Sequence, residues 1–474
     1  MNMPTLSAVD ETTRFLRSQI VGLDRQVPVL GGTHRPYTFL DNAASTPSLL
    51  RVKETVNNLL DWYASIHRGT GFKSLISTEA YERSRELVAE FVGADPRQDV
   101  VIFGKNTTEA INTLANAFPF EAGDVVVVTL MEHHSNDLPW RCCARVEHFG
   151  VNPEGQFDLQ AFDDLLKQFQ GRVKIVSTTG ASNVSGFMPP IHDMAEIAHR
   201  HGAMILVDCA QLAPHRSIDM GPADSPRHID FVSLSAHKMY APFGTGALIG
   251  PREFFDQGRL NFRGGGTIEV VTLDEVYWAG SPDRYEAGSP NVIGAAAMGA
   301  AVKALTEIGM DRIAEHEKLL TTYAIEQFSR IPGVSLYGCK DPQRVEDRVG
   351  VIPLMVDGMP HGKTAAILSY EYAIGVRSGC FCAHPYVLNL LGIDHDAFEH
   401  YKGQVLHHDR SEIPGLVRIS FGCYNTESEV DLAAEALEAA ASGKYQGEYQ
   451  LDRSSGSYAP VGFDARILDE YFQL

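Results

Sequence analysis

The sequence predicts an α/β protein: a large domain on a mostly parallel central sheet, followed by a smaller C-terminal α/β domain. Three observations predict it. Up to about residue 250, short β-branched runs alternate with amphipathic stretches. Those runs are near-continuously apolar, as strands covered on both faces of a parallel sheet must be. Beyond Pro290 the texture changes to an Ala- and Gly-rich stretch and then shorter strands, and a chain of 474 residues is long for a single core.

Taken in order, residues 1–36 read as an N-terminal arm and residues 37–300 as the large domain. Its candidate strands are Val100–Phe103, Val125–Leu130, Val173–Thr178, Met204–Asp208, Phe231–Ser235 and Ala247–Ile249. Between them, Glu79–Val92 sets Tyr81, Ser84, Leu87, Val88 and Phe91 on one helical face and stops at Gly93, and Asp193–His201 stops at Gly202. Around the boundary, Gly294–Leu305 is rich in Ala and Gly and predicts tight helix packing. Residues 301–441 form the small domain, with a long helix over Met310–Phe328, strands Val349–Val356 and Val417–Phe421, and an amphipathic helix over Glu427–Ala441. The tail, 442–474, is rich in Gly, Ser and Tyr and is expected to run over the surface.

Forty basic against sixty acidic side chains leave a formal charge of −20. Such a surface repels phosphate backbones and anionic lipid, so neither nucleic acid nor membrane is an expected partner. Met1–Ile20 carries Asp10, Glu11, Arg14 and Arg17 and reads as neither a signal peptide nor an anchor. Seven cysteines, at 142, 143, 209, 339, 380, 382 and 423, follow no framework spacing and include no Cys-x-x-Cys pair. That argues against disulfides and a zinc site and for a reducing compartment, with the cytoplasm as the expected location.

In an open parallel sheet, ligands collect outside the carboxyl ends of the strands. Three predicted strands end in polar groups that suit one ligand. Val100–Phe103 runs into Gly104-Lys105-Asn106-Thr107-Thr108-Glu109, where Asn106 caps a helix whose free N–H groups suit a phosphate. By itself this reads as an ordinary cap. Met204–Val207 ends in Asp208, a carboxylate that must find a positive partner, such as a protonated pyridine nitrogen, or become protonated. Phe231–Leu234 leads into Ser235-Ala236-His237-Lys238, then Gly244 and Gly246. A lysine closing a buried strand is costly unless it is paired or neutralised, and Schiff-base formation with an aldehyde neutralises it. Together these make a phosphate seat, a nitrogen partner and an imine-forming lysine.

With Asp208-Cys209-Ala210-Gln211, the Ser235–Lys238 segment resembles the class V aminotransferase family of pyridoxal 5'-phosphate (PLP) enzymes, and within it the group II cysteine desulfurases and selenocysteine lyases. The similarity spans roughly residues 37 to 440. It includes Leu40-Asp41-Asn42-Ala43-Ala44-Ser45-Thr46, His67-Arg68-Gly69, Met131-Glu132-His133-His134-Ser135-Asn136, Ser182-Asn183-Val184-Ser185-Gly186, Gly264-Gly265-Gly266-Thr267 and Glu286-Ala287-Gly288-Ser289-Pro290-Asn291. The resemblance implies PLP-dependent transferase fold type I and the following roles. His133 would stack on the pyridine ring, Asp208 bond its nitrogen and Gln211 contact its hydroxyl. Thr107, Thr108, Ser235 and His237 would hold the phosphate, helped by Thr267 of a neighbouring subunit in a homodimer. Asn183 and Arg418 would grip the substrate carboxylate, with Arg377 beside them.

The segment Val376-Arg377-Ser378-Gly379-Cys380-Phe381-Cys382-Ala383-His384-Pro385 reads as an exposed loop. Cys382 matches the family's catalytic cysteine, whose thiolate would attack the sulfur of PLP-bound L-cysteine, leaving a persulfide for a protein acceptor and releasing L-alanine. Arg377 or His384 could assist by lowering the thiol pKa. Cys380 and the long interval between Cys382 and Arg418 depart from the group II pattern, and the Cys loop also resembles the desulfurase domain of molybdenum cofactor sulfurases. The interval holds His395, His400, His407 and His408 among Asp394, Asp396 and Asp409 and is expected to be a solvated lid or docking segment, with no metal. The alternative reaction is that of another class V enzyme: a selenocysteine or C–S lyase, an epimerase or an aminotransferase.

Overall fold

The computed structural model describes residues 6–152 and 154–473. Its main sheet holds seven strands, β1 (Asp99–Gly104), β2 (Val125–Thr129), β3 (Arg145–Phe149), β4 (Val173–Thr179), β5 (Met204–Asp208), β6 (Phe231–Ser235) and β7 (Gly246–Pro251), in the spatial order β1-β7-β6-β5-β4-β2-β3. β7 runs antiparallel to both its neighbours, and the rest are parallel. Six of the seven were expected to within two residues. β3 was not, because Arg145, Glu147 and His148 break the apolar run on what proves to be a half-exposed edge strand.

Alternation along each strand divides the sheet's two faces. Val101, Phe103, Val125, Val127, Ile205 and Val207 enter one core, while Val100, Ile102, Val126, Val128 and Leu206 enter the other. The Phe72–Phe91 helix begins seven residues before the expected start, and its Ser77, Tyr81, Ser84 and Val88 are buried. It packs on the Val292–Ile308 helix, where a Cβ on Gly299 would lie 2.7 Å from Ser84 Oγ, so the close approach predicted by the small residues is real. That helix runs through the boundary expected at residue 300, and its buried residues as far as Leu305 belong to the large core.

A second, antiparallel sheet has β8 (Val334–Leu336), β9 (Val351–Val356), β10 (Arg377–Gly379) and β11 (Leu416–Ser420) in the order β8-β9-β11-β10. Its core includes Leu40, delivered from the early chain by Thr38–Phe39 pairing with Ile374–Gly375. The tail does lie outside, but as a hairpin of Tyr449–Asp452 with Ser457–Pro460. It is anchored because the Glu371 carboxylate accepts from Gln446 N–H, Gly447 N–H and the Tyr449 hydroxyl. The His-rich stretch forms the helix His395–Leu406.

Candidate active site

The register of the sheet sets the site. Thr179 stands opposite Asp208, Asp208 opposite Ser233, and Ser235 opposite Gly246, which in turn faces Gly104. The ends of β1, β4, β5 and β6 therefore open on one side, into a cavity of about 270 Å³. Its lining includes Thr107, Thr108, His133, Asn183, Asp208, Gln211, Ser235, His237, Lys238, Arg377, Cys382 and Arg418, so side chains separated by more than three hundred residues meet there.

Lys238 closes a single 3₁₀ turn after β6, and its Nζ donates to Gln211 Oε1 at 3.4 Å. Burial lowers its pKa to about 8, against the pull of Asp208. Asp208 is 5% exposed and held by neutral donors: Thr107 Oγ1 at 3.2 Å and the Ala210 N–H at 3.0 Å. Burial raises its pKa, which makes a cationic ring nitrogen a favourable neighbour. The Ser235 hydroxyl is buried with no partner. It lies by the start of the Thr107–Ala117 helix, which Asn106 caps by accepting from the Glu109 N–H at 3.0 Å. A Cβ on Gly246 would stand 2.5 Å from the Asn106 carbonyl carbon, so only glycine lets β7 pass. The orphan hydroxyl, the free first-turn N–H groups and the buried carboxylate fit the two ends of PLP, a phosphate and a pyridinium.

One expected contact differs in detail. The Thr107 hydroxyl is spent on Asp208 and on Ser233 Oγ at 2.7 Å, which leaves its backbone N–H for an anion. Thr267 lies outside this cavity, its hydroxyl donating to Gly264 O at 2.8 Å. The Thr108 and Ser135 hydroxyls share a bond of 2.7 Å, and His133 Nδ1 accepts from the Ser135 N–H at 3.1 Å. Burial, then Lys238, lowers the His133 pKa to about 3, so the ring is neutral.

The opposite wall comes from the small domain. Arg418 stands directly across from Arg377 between β11 and β10. Asp41 joins them, with Oδ1 2.9 Å from Arg418 Nη2 and Oδ2 3.1 Å from Arg377 Nε. Asp41 lies within the Leu40–Thr46 motif, where nothing local marks it as the partner of two arginines. Arg418 also donates to Asn183 O at 2.9 Å, lies 4.8 Å over the Phe381 ring and keeps a buried Nε without a partner. Asn183, expected on the substrate carboxylate, directs its Nδ2 to Phe381 O at 2.8 Å.

The Cys loop is held rather than free. Phe381 and Cys382 both have left-handed backbones, φ 51° and 55°, which non-glycine residues adopt at a cost of about 1 kcal/mol or more each. Their carbonyls are pinned by Asn183 and by the His134 N–H, the latter at 2.7 Å. Cys382 is exposed and reaches the cavity. Cys380 is buried with its thiol on Pro414 O at 3.1 Å, and burial pushes its pKa up to about 12. Burial lowers the pKa of His384, which stacks on His134 at 4.9 Å. Arg377 points its Nε to Asp41.

Among known proteins, the model of the class V aminotransferase family matches residues 38–432. A probable cysteine desulfurase of Halalkalibacterium halodurans is 32% identical over 85% of this chain and 93% of its own length. A cysteine desulfurase of Haloferax volcanii is likewise 32% identical, over 85% and 89%. The solved apo cysteine desulfurase of Thermococcus onnurineus superposes with a TM-score of 0.75 at 32% identity, covering 86% of this chain and 95% of that one.

Proposed function

The chain belongs to the class V aminotransferase family and is a PLP-dependent cysteine desulfurase, and on that premise we propose that Lys238 and Cys382 divide the reaction between them. The observation that carries this reading is that the two side chains, from different domains, line one cavity. Bound PLP supplies an electron sink for the bond-breaking at the substrate carbon. Asp208 would meet its ring nitrogen, the neutral His133 ring would face it and Gln211 would meet its ring oxygen. Ser235, His237 and the Thr107 and Thr108 N–H groups would seat its phosphate.

Arg418, with its unpartnered Nε, takes the substrate carboxylate, flanked by Asn183 and Arg377. Lys238 holds the cofactor and, as a free amine, takes the Cα proton at Nζ. A pKa of about 8 leaves a usable share of neutral amine near neutrality. The Cys382 thiolate attacks the substrate sulfur, and a new S–S bond forms as the C–S bond breaks, its electron pair staying with carbon. Protonation of that carbon and return of a proton to Cα give L-alanine, and the persulfide on Cys382 passes to a protein acceptor. We propose a cytoplasmic homodimer in which Thr267 completes the neighbour's phosphate seat. This is supported by an exposed apolar hairpin (Val270, Val271, Leu273, Val276, Tyr277) just beyond it and by seven free cysteines.

The test is to incubate the PLP-loaded protein with L-cysteine and analyse both products and peptides. L-Alanine, with the mass of one sulfur added at Cys382, is expected. Pyruvate with ammonia, or sulfur only on Cys380, refutes the reading.

A further inference from the structure

Behind Gln211, a chain of hydrogen bonds leads away from Lys238 to the helix Met310–Ser329, and the reaction above makes no use of it. Gln211 Nε2 lies 3.1 Å from His215 Nε2, and the other ring nitrogen, Nδ1, lies 2.8 Å from Glu317 Oε1. All three side chains are 3% exposed or less. Glu317 also accepts from Arg216 Nη1 and, at 2.7 Å, from the Gly350 N–H.

The donor order follows from the carboxylate end. Burial works against ionisation of Glu317, but His215 and Arg216 hold its pKa down to about 2. An ionised carboxylate only accepts, so His215 Nδ1 carries hydrogen. The Gln211 amide nitrogen only donates, so its position against His215 Nε2 makes that ring nitrogen the acceptor of the Gln211 N–H. The Gln211 oxygen is thereby turned onto Lys238 Nζ. With no His215 to receive its N–H, the amide is free to rotate and set NH₂ against the lysine amine, donor against donor.

We propose that His215 and Glu317 are positioning residues that lock the Gln211 amide with its oxygen on Lys238 Nζ, so that the nitrogen holds its proton to higher pH. The proposal rests on Lys238 being the cofactor amine. Asp208, Cys382 and Asp41 favour charge on that nitrogen, Arg418 opposes it, and the His133 and His237 rings lie beside it. None of these is altered by a change at His215, so a change in titration reports the amide.

The experiment is a pH titration of the visible absorbance band of the PLP-loaded protein without substrate. His215→Leu is expected to lower the midpoint by about one pH unit, the share of one hydrogen bond to a charged group. His215→Gln, which can still donate to Glu317 and accept from Gln211, is expected to keep it. A folded, loaded His215→Leu protein with an unmoved midpoint overturns the proposal. Nitrogen NMR of the unsubstituted protein tests it without any variant: His215 with hydrogen on Nδ1 alone supports the relay, and hydrogen on Nε2 overturns it. If the unsubstituted protein develops no visible band with PLP, the cofactor reading has failed instead.

Discussion

Replacing Asp41 tests whether the small-domain wall is an electrostatic device for a carboxylate. Arg418 is 2% exposed, and its contacts are Asp41 Oδ1, the Asn183 carbonyl and the Phe381 ring face. In Asp41→Ala the buried cation keeps one neutral acceptor. Breaking a buried pair costs about 3–5 kcal/mol, which we lower to about 2–3 because the cavity admits water. Asp41→Asn keeps an oxygen acceptor and loses only the charge assistance, about 1 kcal/mol. At roughly 2.1 cal/mol/K per residue, 474 residues give an unfolding entropy near 1 kcal/mol/K, so each kcal/mol shifts the melting temperature by about 1 °C. Calorimetry should therefore find Asp41→Ala lower by about 2–3 °C and Asp41→Asn by about 1 °C. L-Alanine brings a carboxylate of its own and should stabilise Asp41→Ala more than the unsubstituted protein. Equal melting temperatures with equal responses to L-alanine would refute the idea that Asp41 neutralises Arg418.

Further outcomes follow from other parts of the site and core. Cys382→Ser should abolish alanine formation yet keep the PLP absorbance band, while Cys380→Ala should retain sulfur transfer and lose about 1 kcal/mol of stability, by activity assay and denaturant titration. His133 and His237 have pKa values lowered by burial to about 3 and about 4, against about 6.5 when unfolded. The unfolded chain then binds more protons below pH 6.5, so their contribution to stability is whole above that pH and lost as pH falls toward 3. His133→Phe should flatten this slope in denaturant titrations of the cofactor-free protein. Gly299→Ala sets a Cβ 2.7 Å from Ser84 Oγ and 3.1 Å from Ser84 Cα and should cost about 1–3 kcal/mol in the same assay.

The large domain was legible because its strands are buried on both faces and so carry a signal in each residue. β3, polar at an exposed edge, lacks that signal. The early start of the helix at Phe72 was hidden because its first turns bury Ser74 and Ser77, small polar residues with no hydrophobic periodicity, whose hydroxyls bond Ser65 and the Ala64 N–H. The tail's hairpin depends on Glu371, some seventy residues earlier, and no local pattern announces it.

For the site, local chemistry at strand ends was enough to single out Lys238, Asp208 and the Asn106 cap, since polar groups closing apolar runs stand out in a linear chain. The family motifs added His133, Cys382 and Arg418 as residue types in order. How those residues face one another was decided only in three dimensions: the pairing of Arg377 with Arg418 across the inserted helix, Asp41 between them, Asn183 turned to Phe381, and Cys380 turned away from the cavity. A sequence shows which groups are present, whereas hydrogen bonds and ion pairs act over about 3 Å, and only the packing of two domains sets distances on that scale.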